Sequence, residues 1–297
     1  MKGWVNNVKK NRFEIDMCNG SIMDKLISFS LPLMVSGILQ LAFNAVDIIV
    51  VGRFSGSQAL AAVGSTTALI NVFTNLFIGI SLGANVLAAR FYAAGKDREM
   101  SETVHTSITL ALISGIMMAV IGVLLAKWAL EIMGTPDDVI GQSALYMRIY
   151  FMGMPFFMLY NYGAAILRAI GDTKRPLIFL IISGIANAAL NMILVILFHM
   201  GVAGVAIGTI ISQLISCVLV LTCLYRSEGS YQLRFSKLKI NGATWNRFSR
   251  WEFQRESRVR SSICPMHCCS LRLIHLDRLR WQAIQQRTIY LGSFICQ

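Results

Sequence analysis

The sequence predicts an all-α integral membrane protein, with six transmembrane helices forming one lobe and a non-membrane, disordered tail behind them. Three observations carry this. The 297 residues are 55% hydrophobic and only 14% charged, with a positive mean hydropathy, a balance foreign to soluble enzymes. Apolar runs of twenty or more residues recur at 26–51, 59–89, 104–130, 139–169, 176–199 and 202–224, each long enough for a bilayer that needs ~20. Short connections make neighbouring spans antiparallel, and runs longer than the bilayer requires imply tilt or extension beyond it. The chain divides into a cytoplasmic segment 1–25, a membrane lobe 26–225, a cytoplasmic loop 226–249 and an Arg- and Cys-rich tail 250–297.

The first span sets the chemistry. Its run 26–51 contains one carboxylate, Asp47, and an acid at membrane depth is tolerated only facing protein or water. On a 3.6-residue helix Gly37, Gln40, Asn44 and Asp47 share one stripe, which predicts a polar seam facing inward. Gln40 and Asn44 alone fit helix–helix adhesion as well as they fit a site. The ionisable residue on the same seam points to an ion or proton site. Pro32 removes a backbone hydrogen bond one turn into the run, which suits a bend. No short apolar core with a small-residue cleavage site precedes this span, so it is expected to be retained.

In the second span Thr67, Asn71, Thr74 and Asn75 share a face that either lines a cavity or hydrogen-bonds another helix. The fifth carries Ser183, Asn187 and Asn191 at i, i+4 and i+8, a single polar stripe on an apolar helix. Two amides so placed can coordinate an ion or hold a neighbouring carboxylate. Gly201, Gly204 and Gly208 predict close helix approach in the sixth, and His199 is read as an interfacial loop residue. Met and Phe are plentiful, as at Met152, Met154, Phe156, Phe157 and Met158, a composition that suits lipid-facing or core positions and also a promiscuous apolar ligand site.

Charge supports the topology. The formal charge of +12 would fit nucleic acid, but the basic residues cluster between apolar runs and in the tail, so no nucleic-acid partner is expected. Lys9, Lys10 and Lys25 precede span one, Arg90, Lys96 and Arg98 follow span two, Arg168, Lys174 and Arg175 follow span four, and Arg226 and Arg234 follow span six. The other side holds little beyond Arg53 and Lys127. By the positive-inside rule both ends of the lobe are cytoplasmic in a multi-pass cytoplasmic membrane protein. No phosphate-binding glycine loop occurs, so the chain is not expected to be an enzyme or to use ATP or a cofactor.

Four stretches resemble the multidrug and toxic compound extrusion (MATE) transporters. They are MDKLISFSLPLMVSGILQLAFNAVDIIVVGRF at 23–54, AARFYAAGKDRE at 88–99, ILRAIGDTKRPL at 166–177 and NAALNMILVILFHMGVAGVAIGTIISQ at 187–213. The resemblance covers about residues 23–241. It implies one six-helix lobe of a twelve-helix fold whose two lobes enclose a central cleft, and an antiporter exporting organic cations and amphipathic drugs against H+ or Na+. It makes Asp47 the coupling-ion residue, with Asn44, Asn187 and Asn191 beside it. Gln40, Asn71, Asn75 and Asn161 are then the substrate-cavity candidates. Asn191 is an amide where some members have an acid, which leaves Asp47 as the single titratable centre. A lipid-linked precursor flippase of the same fold group would want a basic cavity, and the spans contain little Lys or Arg beyond Arg148. A non-transporting membrane interaction protein is the remaining alternative.

The tail departs from this pattern. From residue 241 on there is no Lys, while Arg, Ser, Gln, Trp and Cys accumulate. Cys264, His267, Cys268 and Cys269 lie too close together for the separated ligand pairs of structural zinc, so no metal is expected, and the seven Cys form no disulfide framework. The genetic code supplies another reading. Read two bases later, the Trp251–Glu252 codons force Gly, and permitted codons across 250–257 give Val-Gly-Ile-Pro-Thr-Gly-Ile, like the opening of a seventh helix in this family. The same shift forces Ala-Leu-Leu through His267, Cys268 and Cys269. The tail is therefore expected to be an out-of-frame translation, with the shift between about 242 and 250.

Overall fold

The computed structural model describes residues 22–227 and 229–234. Most of the segment 1–25, the end of the loop 226–249, and the tail with its zinc and reading-frame expectations lie outside the described residues. Among the described residues seven α-helices follow one another: α1 Ile22–Phe54, α2 Gly56–Ala93, α3 Asp97–Ile132, α4 Asp137–Met152, α5 Met154–Ala169, α6 Lys174–Met192 and α7 Gly201–Arg226. A π-helical turn, Ile193–Leu197, continues α6. Among the described residues there is no strand, as expected where a lipid environment requires every backbone polar group to be satisfied within its own segment.

Four stretches, Met23–Phe54, Asp97–Ile132, Lys174–Leu197 and Gly201–Arg226, are individually long and apolar enough to cross a membrane. The 38-residue α2 carries the second apolar run. The fourth run, expected as one helix, is two helices of 16 residues each. The cause is local: Gly153 makes a tight turn to Tyr150 O (3.0 Å), and Pro155 in the first turn of α5 has no N–H to continue the ladder. At about 1.5 Å per residue neither piece spans ~30 Å of hydrocarbon by itself. Placed end to end they make a single crossing.

The bundle packs around α2, α3 and α5, with α4 against α2, α3 and α7, and α1 against α2 and α6. A buried cluster joins Val50 and Val51 of α1, Ala59, Val63 and Ile70 of α2, Tyr146 of α4, Val195, and Val202, Val205 and Ala206 of α7. Ser65 and Ser143 add a hydroxyl pair at 3.1 Å between α2 and α4. Asn85 Nδ2 donates to Ala165 O at 2.9 Å and ties α2 to α5. By contrast, α1 leaves Leu31, Met34, Ile38 and Leu41 exposed.

Phe151 shows what holds the centre. Its fully buried ring meets Phe73 edge-on at 5.8 Å and fills the space that a side chain on Gly122 of α3 would need. Between helices in lipid such close packing replaces the hydrophobic drive available in water. Phe151→Ala is expected to cost about 3 kcal/mol. Thermal unfolding in detergent, followed by far-ultraviolet circular dichroism, should show a clear drop in midpoint, and an unchanged midpoint would remove Phe151 from the packing centre.

Candidate functional site

A polar chain crosses three helices. On α6, Asn187 and Asn191 lie one turn apart and are buried, at 6% and 0% exposure, with Ser183 buried a turn earlier. Asn191 Nδ2 donates to Asp47 Oδ1 of α1 at 2.5 Å and to Asn187 Oδ1 at 3.3 Å. Asn187 Nδ2 in turn donates to Thr209 Oγ1 of α7 at 3.4 Å, and the Thr209 hydroxyl donates to Val205 O at 2.9 Å. The first bond is short because its acceptor is a carboxylate. The two longer ones are weaker and leave room for rearrangement.

Gly208 makes this possible. Asn191 Oδ1 rests where a Cβ on Gly208 would collide with it, and that oxygen is buried without a hydrogen-bond partner among the described residues. Of the glycines expected to serve close approach, Gly208 and Gly204 do so. Gly201 has nothing near its Cβ position and instead adopts φ +55°, so it is a turn residue that opens α7. The π turn begins two residues after Asn191, a device frequent at functional positions.

Asp47 is half-buried, and among the described residues no basic side chain pairs with it. Tyr146 and Tyr150 of α4 lie within its electrostatic reach. A carboxylate at this depth, held by an amide donor, can take up a proton or a hard monovalent cation.

The other expected residues are placed differently. Gly37, Gln40 and Asn44 are exposed, so the α1 stripe does not face a neighbouring helix along its length, and only Asp47 is drawn in. Asn71 of α2 is exposed, while Thr67 and Thr74 bond to their own helix at Val63 O (2.7 Å) and Ile70 O (2.8 Å). The Asn75 side chain lies outside the described residues. Asn161 donates to Phe157 O of its own helix at 2.8 Å. His199 is exposed, in the connection before α7. It lines a cavity of about 410 Å3 with Phe54, Ser55, Gln142 and Leu145, none of which belongs to the Asp47 cluster. Thr209 was not among the residues expected from the sequence. Its signal was the polar face of Thr209, Ser212, Gln213 and Ser216, at i, i+3, i+4 and i+7.

A bundle of apolar helices that sets the Asp47 carboxylate against buried amides is an α-helical membrane lobe. The chain belongs to the MatE family, whose sequence model matches residues 32–193. The family is one of transporters, not enzymes. "Probable multidrug resistance protein YoeA" of Bacillus subtilis is 34% identical over 221 residues, covering 73% of this chain and 47% of that protein. "Probable multidrug resistance protein NorM" of Thermotoga maritima is 27% identical over 218 residues, 72% of this chain and 46% of that one. The solved structure described as "Crystal structure of MATE in the bent conformation" superposes with a TM-score of 0.73 at 21% identity, over 79% of this chain and 52% of that one. The chain thus spans about half the length of the curated relatives it matches.

The Asn191 bond predicts the accessibility of the carboxylate. Asn191→Leu removes its donor and is expected to raise modification of Asp47 by a hydrophobic carbodiimide several-fold, measured by peptide mass spectrometry. Unaltered modification would show that Asn191 does not shield Asp47.

Proposed function

We propose that this chain is one lobe of a MATE-type multidrug efflux antiporter, in which Asp47 with Asn187 and Asn191 couples inward movement of H+ or Na+ to export of organic cations and amphipathic drugs. The observation that carries the reading is the Asp47–Asn191 bond between α1 and α6. It puts the only carboxylate of the first span at the junction of two helices, where a change in its charge alters their contact. The names of the relatives support multidrug export, and the lack of a basic partner to Asp47 among the described residues suits a cation better than an anion. Gln40, Asn44 and Asn71, exposed on α1 and α2, are amides suited to contact substrate once a second lobe closes a cleft over them.

The test is Asp47→Asn in a chain extended to the length of its relatives and placed in everted membrane vesicles. Export of a fluorescent organic cation driven by an imposed ion gradient should fall to background at unchanged membrane abundance. Export at the unmutated rate would reject Asp47 as the coupling residue.

Orientation follows from the basic clusters, which support a cytoplasmic face at Arg90, Lys174 and Arg226. In a chain freed of native Cys, Lys174→Cys should react with an impermeant maleimide in everted vesicles and stay unreacted in intact cells. Reaction in intact cells would invert the topology.

A further inference from the structure

The connection after α7 is built into the lobe. Ser227 leaves helical geometry, at φ −69° and ψ 144°, and its hydroxyl donates to Cys223 O at 2.7 Å. Gly229, at φ +121°, turns the chain back on itself. Leu233 N then donates to Leu224 O at 3.1 Å, so the returning chain lies along the last turns of α7. Two side chains of this polar-looking stretch are buried as deeply as core residues, Tyr231 at 3% and Leu233 at 0% exposure.

Arg234 is held by α3. Arg234 N donates to His105 Nε2 at 3.1 Å, and the other ring nitrogen, Nδ1, lies 2.7 Å from Ser101 O. A carbonyl only accepts, so Nδ1 carries the proton and Nε2 presents a lone pair to the amide. The ring is 4% exposed, and this neutral tautomer satisfies both its nitrogens. The imidazole is explained by the amide it receives.

We propose that residues 229–234 form a strap, with His105 as its receptor, that fastens the connection leaving α7 to the lobe at Arg234. Its functional consequence rests on the transporter reading. Movement of this lobe against a second one would then be transmitted from a point fixed to α3 rather than from the end of α7. The fastening itself is independent of transport and is tested without it.

Hydrogen exchange on the whole 297-residue chain in detergent micelles provides the test. The Leu233 and Arg234 amides are expected to exchange at least ~100-fold more slowly than in an unstructured peptide. His105→Ala should accelerate them about ten-fold or more while amides in the middle of α7 keep their protection. His105→Gln, whose Oε1 reaches the place of Nε2, should retain most of the protection. Fast exchange in the unmutated chain overturns the strap, as does protection unchanged by His105→Ala. If His105→Ala loosens α7 as well, the glutamine variant decides: exchange as slow as in the unmutated chain supports the receptor role, and fast exchange at these two amides overturns it.

Discussion

One amide nitrogen holds the polar centre together. Asn191 Nδ2 is shared between the carboxylate of α1 and the amide oxygen of Asn187, so the first and sixth helices meet through a donor that faces two acceptors. In lipid, helices gain nothing by hiding apolar surface from each other, and close packing together with a few polar bonds decides their association. This weighs most on α1, whose side chains at Leu31, Met34, Ile38 and Leu41 are exposed. Beside the apolar cluster at Val50 and Val51, a further close contact is Phe43 over Gly184 of α6, where any side chain would collide. Every other crossing has a broader apolar hold.

Burial without full satisfaction marks the same place. Asn191 Oδ1 lies buried against Gly208 without a partner among the described residues, and a buried unpaired acceptor costs about 1–3 kcal/mol. A larger residue at position 208 would force the amide out, and with it the donor to Asp47. The glycine therefore fixes the position of the carboxylate's neighbour through its missing side chain. Thr209 then orients Asn187 from the adjacent position, so consecutive residues of α7 set both amides.

Helical spacing made much of this legible. The run 26–51 with its lone acid and the 183, 187, 191 stripe stand out in the sequence, and Asp47 and Asn191 from these two stretches meet in the structure. Spacing says which residues share a face, not what stands opposite, and for that reason Gln40 and Asn44 share a stripe with Asp47 yet stay exposed. The break at Gly153 was hidden because both pieces are apolar and one proline near a helix start is compatible with a continuous span. The strap was hidden for the opposite reason: Tyr231 and Leu233 are isolated in a stretch whose Arg, Gln and Gly residues have the composition of a loop, and the group that receives its amide is 129 residues away.

An amide at position 191 also has a chemical consequence that an acid there would not have. With Asp47 ionised, the amide donates through Nδ2, as it does here. With Asp47 protonated, its hydroxyl needs an acceptor, and rotation of the Asn191 amide by half a turn offers Oδ1, the atom now buried and unpaired. Asn187 Oδ1 would then lose its donor, and its own amide would be free to shift toward or away from Thr209, whose contact at 3.4 Å is already long. On the reading proposed above, the neutral residue would accommodate either charge state of its neighbour, and a change at the carboxylate would pass along α6 to α7 through these longer bonds. Two acids in these positions would contest a single proton. On the same reading, one acid beside an amide would leave the first helix bound by a contact whose direction follows the charge on Asp47.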